Sequence, residues 1–167
     1  VEVVQVPTAY TVLIDYAHSP NALENILLTA RDFTAGRLIC LFGCGGDRDR
    51  TKRPIMGSVV KELADLAVVT SDNPRTEDPE DIIQDILEGM DGEGAQVHVE
   101  PDRRQAIAWA LSQGRPGDVI VLAGKGHETY QEMNGVQYPM DEREIVAQYF
   151  SSGPLGEKTG NLPAGVV

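Results

Sequence analysis

The chain has 167 residues, 41% of them hydrophobic and only 5% aromatic, and its 26 acidic and 14 basic side chains give a net charge of −12. That length suits a single domain able to bury roughly two thirds of its unfolded surface, with a core built mainly from Val, Ile, Leu and Ala. An acidic balance, with a pI near 4.5, argues against nucleic-acid binding and against attachment to anionic membrane surfaces.

Val1–Pro7 reads as a lead-in segment, and Thr11–Asp15 (TVLID) as a buried strand. Ser19-Pro20 supplies an N-cap and a first-turn proline. Ala22, Leu23, Ile26, Leu27 and Ala30 then recur at helical spacing as far as the break at Gly36. Arg37–Phe42 is a second strand, followed by a long loop, Gly43–Arg53, and a helix opened by Pro54 that carries Ile55, Met56, Val59, Val60 and Leu63. Leu66–Thr70 is a third strand. Asp78-Pro79 caps a helix with Ile82, Ile83, Ile86, Leu87 and Met90 on its buried stripe, and Asp91–Ala95 turns the chain. Val97–Glu100 is a short fourth strand, and Pro101-Asp102 starts a helix with Ala106, Ile107, Ala110 and Leu111. Asp118–Leu122 is the fifth strand. Asn134-Gly135 marks a tight turn that makes Glu132–Met140 a hairpin edge strand, and Asp141–Phe150 is a last helix. Residues 1–150 are expected to form the domain, and the Gly- and Pro-punctuated segment 151–167 a disordered tail.

Continuously apolar strands alternating with helices imply a doubly wound α/β fold, with a mostly parallel, Rossmann-like sheet of about six strands covered on both faces. In such sheets ligands bind beyond the carboxyl ends of the strands. Four polar, Gly- or Pro-punctuated segments fall there: 15–20 (DYAHSP), 43–54, 72–75 (DNPR) and 124–128 (GKGHE). The opposite edge carries ordinary turn chemistry.

Each segment also has a plainer structural explanation. A Gly-rich loop is commonly only a turn, although it also lets backbone N–H groups approach an anion. Arg48, Arg50, Lys52 and Arg53 could be a solvated charge run; yet four of the 14 basic residues within six positions of an acidic chain favour a local anion site. Asp72 and Asn73 could merely cap the turn before Pro74. Lys125 is not a Walker A lysine, because the required glycine and Ser/Thr positions hold Val119 and Gly126. No other segment supplies a P-loop. Cys40 and Cys44 are the only cysteines, and with His18, His98 and His127 far apart they suggest neither a disulfide scaffold nor a structural zinc site.

Taken together, the segments DYAHSP, GCGGDRD, DNPR and GKGHE resemble the Mur ligases, the ATP-dependent enzymes that build the peptide of bacterial cell-wall precursors. DYAHxP alone is shared with folylpolyglutamate synthetases, whereas DNPR with GKGHE at this separation is specific to the branch that adds the third residue of the stem peptide. The resemblance runs from about Val1 to Phe150. It implies a C-terminal, amino-acid-binding domain that closes over a nucleotide-binding and a UDP-sugar-binding domain. By itself this segment should then hold no catalytic residue, no metal and no cofactor. ATP and Mg²⁺, with UDP-N-acetylmuramoyl-L-alanyl-D-glutamate, belong to the full-length enzyme, expected to be cytoplasmic and monomeric.

In the DNPR form the resemblance implies meso-diaminopimelate as the added amino acid. Arg75 suits its distal carboxylate as a bidentate partner, with Arg48 as a second anion contact, Asn73 as a polar one, and Asp72 and Pro74 completing the motif. Glu128 and the carbonyl of Gly124 would accept the distal ammonium. Asp15 and His18 would face ATP on closure, while Asp47 and Lys125 lie beside the site without an assigned role. Two other readings remain: a lysine-adding ligase of the same family, which Arg75 opposes, and a phospho-acceptor receiver domain built on Asp15, Asp72 and Lys125. The receiver reading has one acidic residue after the first strand where a Mg²⁺ site wants two, and it gives the basic loop no use.

Overall fold

A computed structural model of the protein describes residues 1–152. Its main sheet has six strands: β1 (Glu2–Val4), β2 (Thr11–Asp15), β3 (Leu38–Phe42), β4 (Leu66–Val69), β5 (Gln96–Val99) and β6 (Val119–Ala123). Their spatial order is β1-β2-β6-β3-β4-β5, parallel throughout except that β1 runs antiparallel to β2. Helices α1 (Pro20–Arg31), α2 (Lys52–Leu63) and α3 (Pro79–Leu87) follow β2, β3 and β4. Helix α4 (Arg103–Gln113) links β5 to β6, and α5 (Glu142–Ser152) follows a separate two-stranded sheet, β7 (Tyr130–Met133) and β8 (Val136–Pro139).

Strand alternation divides the core in two. Leu13, Cys40, Phe42, Ala67, Val69 and Val121 face α1, α2 and α3, while Val12, Ile14, Ile39, Leu41, Val68, Ile120 and Leu122 face α4 and α5. Both faces of β3, β4 and β6 are buried, which accounts for their unbroken apolar runs. Ser19, Asp78 and Asp102 cap α1, α3 and α4 through their side chains.

Four expectations change. The lead-in contains β1, a three-residue edge strand with Glu2 and Val3 exposed and Val4 half-buried against the core, too short to set up an alternating pattern. Helix α2 begins at Lys52, two residues before Pro54; a first-turn proline lacks only an N–H that would find no intrahelical partner anyway. The hairpin is not an edge of the main sheet: β7 and β8 pair only with each other, and an isolated bridge joins Met133 to Arg75. Helix α5 runs through Ser152, past the expected boundary at 150, and the rest of the expected tail lies outside the described residues.

Candidate functional site

The carboxyl ends of β2, β3, β4 and β6 open into one cleft of about 400 Å³, lined by Tyr16, His18, Gly43–Gly45, Arg48, Asp49, Lys52, Arg53, Met56, Asp72, Asn73, Arg75, Gly124 and Glu128. Two glycines let its walls meet. A Cβ on Gly46 would lie 1.8 Å from the carbonyl oxygen of Pro74, so the loop after β3 can touch the 72–75 turn only without a side chain there. Gly124 has φ +114°, and its Cβ would lie 2.8 Å from Asp72 Oδ2.

Lys125 comes just after β6 in the chain, is fully buried and lies outside the cleft lining, reaching the turn after β4. Its ammonium donates to Asn73 Oδ1 at 2.7 Å, Asp72 Oδ1 at 3.2 Å and Glu128 Oε1 at 3.4 Å. Below it, Arg103 is also fully buried. It pairs with Glu142 at 2.7 Å and donates to the carbonyls of Ser71 (3.0 Å) and Ala123 (2.8 Å), locking the two strand ends that carry Asp72 and Gly124.

Hairpin β7–β8 braces the 72–75 turn. Gln131 Nε2 donates to Ser71 Oγ (2.8 Å) and to the Asp72 carbonyl (2.6 Å), and the Glu132 N–H donates to Asn73 Oδ1 (2.9 Å). The Arg75 N–H donates to the Glu132 carbonyl, and the Asn134 N–H to the Arg75 carbonyl. These bonds hold Arg75 at φ +53°, in the left-handed region that a long side chain seldom adopts. The Arg75 guanidinium uses Nη1 on the Gly46 carbonyl (3.0 Å), and its Nε lies 3.4 Å from Glu132 Oε1. Nη2 has no protein partner among the described residues, so part of the planar fork stays available to a carboxylate.

The basic loop splits in two. Arg53 is buried, bound to Glu77 (2.8 Å), Asp85 (3.0 Å) and the Gly45 carbonyl (3.0 Å), and it supports the glycine loop. Arg50 pairs with Asp85. Arg48 is exposed and among the described residues bonds only to the carbonyl of Asp47, leaving its charge at the cleft. Burial pushes the Cys44 thiol up to about 12, so this lining residue is a neutral packing group rather than a nucleophile. Tyr16 packs edge-on against His18 (4.5 Å between centroids), and His18 Nδ1 lies 2.8 Å from the Tyr16 carbonyl, leaving Nε2 for another group.

Of the expected site residues, Arg48, Asp72, Asn73, Arg75, Gly124, Glu128 and His18 line the cleft. Pro74 stands behind it, its carbonyl against Gly46. Asp15 also lies outside the lining and accepts the Ala17 N–H, which shapes the turn carrying His18. Lys125 and Arg103 are structural partners of the site that sequence reasoning left without roles. A basic residue between two glycines at a strand end was the one available signal for Lys125.

The model for the Mur ligase glutamate ligase domain matches residues 1–126. The chain belongs to the Mur ligase family. It is 58% identical over 139 residues to a UDP-N-acetylmuramoyl-L-alanyl-D-glutamate–2,6-diaminopimelate ligase of Clostridium botulinum, covering 83% of this chain and 28% of that protein. It is 51% identical over 141 residues to the ligase of the same name from Clostridioides difficile, covering 84% and 29%. A solved structure of a ligase of that name superposes with a TM-score of 0.86 at 43% identity, over 90% of this chain and 31% of that one. The chain thus spans under a third of these relatives. Membership of the Mur ligase family displaces the receiver-domain reading.

Proposed function

We propose that this chain is the C-terminal amino-acid-binding domain of an ATP-dependent ligase that adds meso-diaminopimelate to UDP-N-acetylmuramoyl-L-alanyl-D-glutamate during cytoplasmic synthesis of peptidoglycan precursors. The observation that carries this reading is the bipolar cleft. Arg75 offers a partly unused guanidinium fork beside the exposed Arg48. Glu128 engages Lys125 and Asn73 through Oε1 alone, leaving Oε2 for an ammonium. A side chain ending in both a carboxylate and an ammonium satisfies both ends, whereas lysine leaves the fork unpaired.

In the proposed reaction ATP phosphorylates the nucleotide-linked carboxylate, releasing ADP, and the neutral amine of diaminopimelate attacks the acyl phosphate, losing a proton and expelling phosphate to give an amide. Among the described residues no group of three or more His, Cys, Asp or Glu could hold a metal ion. The likeness to the family, of whose matched members this chain spans under a third, is the ground for assigning Mg²⁺, ATP and the UDP-linked dipeptide to the remainder of the ligase, with His18 and Asp15 turned toward the nucleotide on closure. Among the described residues no helix is long and apolar enough to cross a membrane, and the ligase is proposed to act as a monomer.

The test is Arg75→Ala in the full-length ligase. Losing a charge-assisted, two-pronged contact costs about 2–3 kcal/mol. The KM for meso-diaminopimelate should therefore rise roughly 30- to 150-fold, with the KM for ATP nearly unchanged and the melting temperature a few degrees lower at most, since the Gly46 carbonyl and Glu132 also lose a partner. Wild-type enzyme that turns over L-lysine as readily as meso-diaminopimelate would support the lysine-adding alternative instead.

A further inference from the structure

We propose that Lys125 is the positioning residue that sets the polarity of the amino-acid pocket, acting through Asn73 and Glu128 without touching the ligand. This inference rests on the cleft being a diaminopimelate site, as proposed above.

Lys125 is fully buried, and its three ammonium protons face three acceptors: Asn73 Oδ1, Asp72 Oδ1 and Glu128 Oε1. Asn73 Oδ1 also accepts the Glu132 N–H at 2.9 Å. Two donors converging on one end of the amide decide its orientation, because the flipped amide would set its NH₂ against both an ammonium and an N–H. Nδ2 is thereby held away from that pair, 3.4 Å from Glu128 Oε1, as a donor on the cleft wall.

Glu128 is held in the same way. Lys125 and Asn73 both reach Oε1, which fixes the carboxylate and leaves Oε2 as an acceptor. One buried cation therefore offsets two neighbouring carboxylates and sorts the pocket into a donor side, Asn73 Nδ2 with Arg75, and an acceptor side at Glu128. A neutral side chain at position 125 would remove one of the two donors that orient the amide, leaving the Glu132 N–H alone on Oδ1, and would add uncompensated negative charge. Both changes work against a ligand carboxylate and in favour of a purely cationic side chain.

The experiment measures steady-state kinetics of Lys125→Met in the full-length ligase with meso-diaminopimelate and L-lysine as competing acceptors, alongside thermal melting. The KM for meso-diaminopimelate should rise at least tenfold, and its preference over lysine should narrow at least tenfold. The KM for ATP should stay within twofold. A Lys125→Met enzyme that melts lower but keeps both the wild-type KM and the preference would overturn the proposal, since a merely structural lysine predicts that pattern.

Should Lys125→Met not fold, Asn73→Asp decides. It keeps an oxygen toward Lys125 and the Glu132 N–H, so it should still fold, melting lower because its new carboxylate oxygen stands about where Nδ2 was, 3.4 Å from Glu128 Oε1; with that oxygen in place of Nδ2 it should lose affinity for diaminopimelate at least tenfold. Unchanged affinity in a folded Asn73→Asp would sink the orienting role. Wild-type enzyme with no use for meso-diaminopimelate would instead remove the functional reading itself.

Discussion

Gly46 shows how a single missing side chain brings two binding loops together. The loop after β3 and the 72–75 turn approach so closely that an added Cβ would meet the Pro74 carbonyl at 1.8 Å, and the Gly46 N–H donates to the Asn73 carbonyl across the same gap. Backbone stands on both sides of the contact, so no rotamer change can relieve it. Gly46→Ala should cost about 2–3 kcal/mol, seen as a lower urea midpoint with an unchanged slope, and should also weaken amino-acid binding because Arg75 Nη1 rests on the Gly46 carbonyl. At this scale the sequence exposed the polar residues at the strand ends, because a doubly wound sheet must present them at one edge. It did not show that Lys125 is buried while Arg48 is exposed. The acceptors that bury the lysine are 52 and 53 residues away in the chain, and burial of a charge depends on such distant partners.

The elements were legible wherever packing dictates the pattern. β3, β4 and β6 are buried on both faces and appear as unbroken apolar runs; α1, α3 and α4 announce themselves through Ser19, Asp78 and Asp102. Thr51, the residue before α2, makes no side-chain cap, so Pro54 was the strongest start signal and placed the helix two residues late. The tight turn at Asn134-Gly135 was also legible, with φ of +51° and +78°, as a two-residue hairpin of this twist requires. Its docking site was not, since the bonds that place the hairpin are made by Gln131 and Glu132 to a turn some 60 residues earlier. Gln131 is the strongest of these ties. Gln131→Leu should leave the Asp72 carbonyl and Ser71 hydroxyl without a partner, costing about 1–3 kcal/mol. It should also raise the KM for diaminopimelate severalfold, because the brace that holds Arg75 at positive φ is loosened. Equal KM values in the two proteins would mean that the turn keeps its shape without the hairpin.

Across the whole molecule, carboxylates bound by arginines tie neighbouring elements of the same layer together, and this gives stability a direction with pH. Arg53 holds the Glu77 carboxyl below its ordinary range, with help from the Asp47 N–H. Arg50 does the same for Asp85, outweighing the opposing effect of burial, with Arg53 adding a further lowering. Burial alone would raise Asp118, but Arg37 and the backbone N–H groups of Arg37 and Arg115 outweigh it, so its carboxyl also lies low. The unfolded chain, with ordinary carboxyl groups, binds more protons than the native one in acid. Stability is therefore complete above the unfolded pKa values near 4 and is lost as pH falls through the lower native ones. The melting temperature should hold level from about pH 5 to 8 and drop steeply below about pH 4. Salt should weaken the Glu77 and Asp85 contribution, whose carboxylates are partly exposed, more than that of the buried Asp118. Asp118→Asn isolates the buried part: it keeps an oxygen for one backbone N–H but loses the charge that pairs with Arg37. Its plateau should fall by about 2–3 kcal/mol, and its acid slope should become shallower, as followed by urea unfolding at stepped pH. A variant that loses stability on the plateau yet retains the wild-type acid slope would show that Asp118 contributes through hydrogen bonds alone and that the acid sensitivity resides in the pairs of Arg50 and Arg53 with Glu77 and Asp85.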